Sequence, residues 1–139
     1  MLQCLVIVIS ALTVTGSYAA DLTVSVVGLK NNRGDVHIAL YDRPEKFPDS
    51  GGMKAEEDVS IRARQARAVF NNLSPGKYAI AVYHDENGNH EFDQGFLGIP
   101  LEDFGFSNGA TAFFAPPSFK DAQFILANTG STTVIDLGN

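Results

Sequence analysis

The stretch Tyr83-His84-Asp85-Glu86-Asn87-Gly88-Asn89-His90-Glu91-Phe92-Asp93 concentrates the side chains of this sequence that could do chemistry. Oxygen-bearing residues fall at every second position: Asp85, Asn87, Asn89, Glu91 and Asp93. A loop that curls round a hard cation turns alternate residues inward, and calcium collects its roughly six to eight oxygens in this manner. Asp85, Asn87, Asn89 and Asp93 would offer side-chain oxygens and Glu91 its carbonyl, with Glu102 or Asp103 completing the shell. Ca2+ is the ion of choice because it is hard, tolerant in geometry and accepts neutral oxygens. The likeness to an EF-hand loop is partial. Counting from Asp85, Gly88 comes at the fourth position rather than the sixth, and Phe96 stands at the twelfth, where the bidentate acid would be. The same residues also suit a turn without an ion, since Asp and Asn bond their own backbone two residues on and Asn-Gly favours positive φ.

Two histidines flank this loop. With Asp85 or Asp93, His84 and His90 could bind zinc or act as an acid–base pair, and a metal-dependent hydrolase built on His84, His90 and Asp93 is the alternative function. Their spacing fits no metal-site template, and His37 lies on a separate strand. Gly-x-Ser-x-Gly, His-Glu-x-x-His and phosphate-loop motifs are all missing. The expectation is therefore a non-catalytic protein, with no catalytic residue assigned.

The elements that must hold the loop read as strands. Leu22 to Leu29 and Val36 to Tyr41 alternate apolar and polar residues, and the Gly-containing turn between them predicts an antiparallel hairpin. Asp42 to Asp58, with Pro44, Pro48, Gly51 and Gly52, reads as a long surface loop whose Phe47 tucks back onto the sandwich edge. Val59 to Phe70 fits a helical face or two short strands, and the strands on either side favour the strand pair. After the Pro75-Gly76 turn, Tyr78 to Tyr83 is small or apolar on both faces and so predicts a central, buried strand from whose end the acidic loop opens. Ser118 to Ala122 suits one helical turn, and Gln123 to Ala127 and Thr132 to Leu137 suit closing strands. The fold class expected is all-β, an antiparallel β-sandwich of about seven strands.

The N-terminus adds a compartment. An apolar run from Leu2 to Leu12 precedes small residues at Ser17 and Ala19, the pattern of a secretory signal peptide over residues 1–19. No Lys or Arg precedes the run, which is atypical, and an uncleaved membrane anchor is the alternative. Residues 20–139 would then form one domain with a single core, periplasmic or extracellular and not spanning the membrane. Cleavage would remove Cys4, the only cysteine, leaving neither disulfide nor thiol chemistry. The net charge of −6 disfavours nucleic acid, which needs clustered Lys and Arg. Arg62, Arg64 and Arg67 form the one basic group and read as a solvated strand face. The aromatic-rich segment from Phe104 to Phe119 either folds down over the end of the sandwich or offers a surface for a protein or glycan ligand, the chain being taken as a monomer.

Five ordered blocks carry a family likeness. They are Phe70-x-x-Leu73-x-Pro75-Gly76-x-Tyr78-Ala79, His84-Asp85-Glu86-Asn87-Gly88-Asn89, Leu97-Gly98-Ile99-Pro100-x-Glu102, Phe104-Gly105-Phe106-Ser107-Asn108 and Pro116-Pro117-Ser118-Phe119-x-Asp121-Ala122. Together they resemble an exported bacterial family known as domain of unknown function 2141. The resemblance implies a transthyretin- or immunoglobulin-like β-sandwich of the cell envelope, with the Asp/Asn loop part of the family pattern and no activity to carry over. One departure is His90, at a position where the pattern implies glycine or another small turn residue.

Overall fold

A computed structural model of the protein describes Gly16 and residues 18–138. The leader expected over residues 1–19 lies almost wholly outside the described residues. The described chain runs β1 (Ala20–Val27), β2 (Asp35–Tyr41), β3 (Ala55–Ser60), β4 (Ala66–Leu73), β5 (Gly76–Asp85), β6 (Phe104–Phe106), a helical turn α1 (Phe119–Ala122), β7 (Phe124–Leu126) and β8 (Ser131–Asp136). Ser118 caps α1 by accepting from the Asp121 N–H, as its position before the turn predicts.

The strands form two sheets, as the all-β sandwich reading expects. The smaller is ordered β4-β1-β8, and the larger β3-β2-β5-β6 with β7 paired to the start of β5. Alternation sets the inner faces. Leu22, Val24 and Val26 of β1 meet Ile38 and Leu40 of β2 and Ile80 and Val82 of β5 in one closed core. Each aliphatic side chain so buried contributes about 1.5–3 kcal/mol, so this layer dominates the stability.

Several expectations change in three dimensions. β1 and β2 are not a hairpin: β1 pairs with β4 and, in parallel, with β8, whereas β2 pairs with β3 and β5. Both edges of β1 are thus taken, and the turn after it carries the chain across to the opposite sheet. Gly28 makes that crossing possible, since at φ +73° it packs where a Cβ would overlap the Asp136 carboxylate. The long loop is shorter than its composition implies, because β3 begins at Ala55, where Glu56, Glu57 and Asp58 occupy an exposed edge strand that needs no apolar alternation. Of the two short strands expected between Val59 and Phe70, the second forms as the start of β4, whereas the first stops at Ser60 with β3, and the chain turns at Ala63 and Arg64, whose φ values are +52° and +59°. Among the described residues there are eight strands, the additional short one being β6.

β5 is apolar on both faces for a structural reason. Its inner face feeds the core, while on its outer face Ala79 joins Ala39, Tyr41, Phe119 and Ala122 in a second cluster, against which Phe47 packs edge-on to Tyr41 at 5.1 Å. Ser107 ties this cover to the sheet. Its buried hydroxyl accepts from the Ile80 N–H at 2.8 Å and donates to the Ala122 carbonyl. Ser107→Ala would leave both groups unpaired in a dry site and is expected to cost about 1–3 kcal/mol in urea denaturation.

Candidate functional site

The Asp/Asn loop leaves β5 at its buried end. Asp85 is 1% exposed, and its carboxylate accepts three backbone N–H groups: Oδ1 from Gly88 at 2.8 Å and Asn89 at 3.2 Å, Oδ2 from His90 at 2.8 Å. Asn87 Oδ1 accepts from the Asn89 N–H at 3.1 Å, and Asn89 Oδ1 from the Glu91 N–H at 3.0 Å. These are successive turns of the kind in which a short polar side chain bonds backbone two residues ahead. Both amide nitrogens then donate to Asp93, Asn87 Nδ2 at 2.6 Å and Asn89 Nδ2 at 2.9 Å. Four of the five residues singled out therefore close one ring; Glu91 joins it through its N–H and turns its side chain to solvent. Among the described residues, no three His, Asp or Glu side chains converge as a preformed metal centre.

The backbone explains the one departure from the family pattern. His90 has φ +61°, the left-handed region that favours glycine, and Gly88 has φ +68°. His90 holds this conformation because its N–H is pinned to Asp85.

Glu102 supports the loop from the segment beyond it. Its Oε2 accepts from the Asp93 N–H at 3.1 Å, and among the described residues Oε1 is buried without a hydrogen-bond partner. Burial, first, and then the charges of Asp93 and Asp85 push its carboxyl above the usual carboxylate range. Its neighbour Asp103 is instead paired with Lys30 at 2.7 Å.

The two loop histidines go separate ways. His84 is wholly buried and donates Nε2–H to the Arg33 carbonyl at 2.7 Å, and among the described residues its side chain makes no hydrogen bond to the polar ring of the loop. His90 lies with Nδ1 3.5 Å from Asp58 and 4.0 Å from Asp85, and Asp58 also bonds His37 Nδ1 at 2.8 Å. His84, His90 and Asp93 thus have different partners and are not assembled into one reacting centre.

A groove of about 1400 Å3 opens on the outer face of the larger sheet, beside the covered end of that face. Ala39 and Ala81, directly opposite one another on β2 and β5, give it a shallow floor. Its rings run in sequence, Tyr83 to Phe92 at 5.4 Å, Phe92 to Phe104 at 5.8 Å and Phe104 to Phe106 at 5.9 Å. The aromatic segment divides between the two roles open to it. Phe104, Phe106 and Phe119 fold down, whereas Phe113 and Phe114 stand exposed. Sequence patterning had a signal for this groove, the small and aromatic outer faces of β2 and β5, but nothing in it joined those faces to Phe92. The loop and groove share a hinge: Phe92 lines the groove, and the next residue, Asp93, closes the polar ring.

No curated protein and no solved structure matches the chain. The model of a family described as an uncharacterized protein conserved in bacteria, DUF2141, matches residues 24–134, and the chain belongs to that family.

Proposed function

We propose that this protein is a non-catalytic binding module of the periplasm or cell exterior, in which calcium stiffens the Asp85–Asp93 loop and thereby one wall of the aromatic groove. The observation that carries the reading is the Glu102 carboxylate, buried with one oxygen unpartnered and held against Asp93. It joins Asp85 and Asp93 in a patch of concentrated negative charge, and only amide donors balance Asp93. A calcium ion would take over that balancing from Asn87 and Asn89, whose amide oxygens each keep a second lone pair for it. The ligand, a protein or glycan, would bind at the groove and the neighbouring Phe104–Phe119 segment. Export rests on the apolar run from Leu2 to Leu12 and the small residues Ser17 and Ala19, and among the described residues no helix is long and apolar enough to cross a membrane.

Glu102→Gln tests the reading with a change of sign. The folded-state pKa of Glu102 is raised above its ordinary 4.5, so the native protein holds this proton to higher pH than the unfolded chain. The resulting penalty is absent below pH 4.5 and grows as pH rises through the folded value. In chelator at pH 7, Glu102→Gln should therefore raise the melting temperature, an advantage that fades on acidification. With calcium at ten times a Kd of roughly 10⁻⁴–10⁻³ M, wild type should gain about 1.4 kcal/mol and the variant much less. Identical melting curves for wild type in calcium and in chelator would remove the ion from the account.

A further inference from the structure

We infer that the ligand of the groove is an extended polypeptide segment carrying lysine or arginine between apolar residues. This inference rests on the binding-module reading and assigns the chemistry of its ligand. The first observation is charge. Asp49, Glu56 and Glu91 line the groove as exposed carboxylates, with Glu102 buried in its wall and Asp103 paired to Lys30, and among the described residues no lysine or arginine lines it. A cationic partner entering this field is steered and held, and an anionic one is repelled.

The second observation is size and shape. At about 1400 Å3 the groove exceeds the roughly 300–1,000 Å3 of compact small-molecule sites and suits a length of chain. Its floor of Ala39 and Ala81 leaves room for a backbone to lie close to the sheet. The rings lining it pack against one another at 46° to 73° rather than lying as one flat platform. Edges and faces so mixed take up aliphatic side chains and the cationic heads of Lys or Arg, whereas a sugar ring stacks best on a flat exposed face.

The third observation is the exposed apolar residues beside the groove. Leu97 and Phe114 both line it, at 84% and 99% exposure. Both also hold positive φ, at 56° and 59°. A bulky side chain in the left-handed region is strained, and here the strain keeps apolar groups in solvent beside an acidic groove. Contact with an apolar ligand side chain would offset that exposure.

The test is fluorescence anisotropy with a labelled peptide of alternating Lys and Leu, about ten residues and roughly 33 Å when extended. A Glu–Leu peptide and chitohexaose are the comparison probes. The Lys–Leu peptide should bind wild-type protein at low salt and weaken about tenfold when salt is raised to roughly 0.3 M. Ala81→Phe, which fills the floor, should abolish binding. Should that variant melt early, the exposed pair Asp49→Lys and Glu56→Lys serves instead and should weaken binding about tenfold. Glu57→Lys, on the same edge strand but not lining the groove, should leave it unchanged. Equal loss in the Glu56 and Glu57 variants would reduce the attraction to overall charge and overturn the inference. Chitohexaose binding that Ala81→Phe removes would overturn the peptide assignment while the binding module stood. Calcium-dependent NMR shifts of the Phe92 ring without peptide binding would do the same, and absence of both would remove the two readings together.

Discussion

Asp85→Ala is expected to cost about 2–4 kcal/mol of stability even in chelator, because the Gly88 and His90 N–H groups in the loop after β5 lose their acceptor and the Asn89 N–H keeps only Asn87 Oδ1. For a domain whose total stability is about 5–15 kcal/mol, that is a large fraction. The left-handed backbone at His90 would lose its tether at the same time. Asp93→Ala makes the informative contrast. Asp93 accepts only from two exposed amide side chains that water can replace, so its loss in chelator should cost less than about 1 kcal/mol. With calcium present the proposed site reverses the order: Asp93→Ala should lose the whole calcium-induced shift in melting temperature, because in that proposal the ion binds this carboxylate directly. Urea denaturation of both variants, with calcium and with chelator, gives the four numbers needed. If Asp85→Ala were as mild as Asp93→Ala in chelator, the loop would not hang from Asp85. If Asp93→Ala kept a wild-type calcium shift, any ion would bind elsewhere.

The second large effect is expected far from the loop in sequence. Gly34 precedes β2 at φ +65°, and a Cβ there would overlap the Asp85 carbonyl oxygen. Gly34→Ala combines the left-handed penalty of about 1–2 kcal/mol with separation of the β2 and β5 ends, and should destabilise by roughly 3 kcal/mol. Because Asp35 and Asp85 are directly paired, the displaced strand end should carry the loop with it. Loss of amide-exchange protection at Gly88, Asn89 and His90 in Gly34→Ala, measured by NMR under native conditions, is the matching local signature. A variant that lost global stability yet kept protection at those amides would separate the strand end from the loop.

These expectations show where local sequence sufficed. The alternation in Leu22 to Val26 and in Val36 to Tyr41 placed the strands, since a period of two has one buried face. The double-sided apolar character of Tyr78 to Tyr83 placed β5 at the centre. Ser118 announced α1 because a cap is satisfied by a backbone N–H a few residues away. Chain order placed the Asp/Asn loop at the end of β5, and the family likeness is matched by the family model over residues 24–134.

Pairing was not legible in the same way. Alternation fixes which face of a strand is apolar but says nothing about its neighbour, so β1 could be read as the partner of β2 when β4 and β8 in fact flank it. Nor could residue types tell which oxygens of the loop meet one another. Asp85 faces backbone N–H groups, Asp93 faces two amides, and Glu102 comes to Asp93 across nine residues. The groove required three separated segments to meet on one outer face, through His37 and Ala39, Ala81 and Tyr83, and Phe92 to Phe106. The sequence by itself determined the class of fold, the inner faces of the strands and the composition of the polar loop, because each depends on residues close along the chain. Tertiary structure alone decided the sheet order, the burial of Glu102 and His84, and the coupling of Asp93 to the aromatic groove, because each depends on which distant segments exclude water from one another.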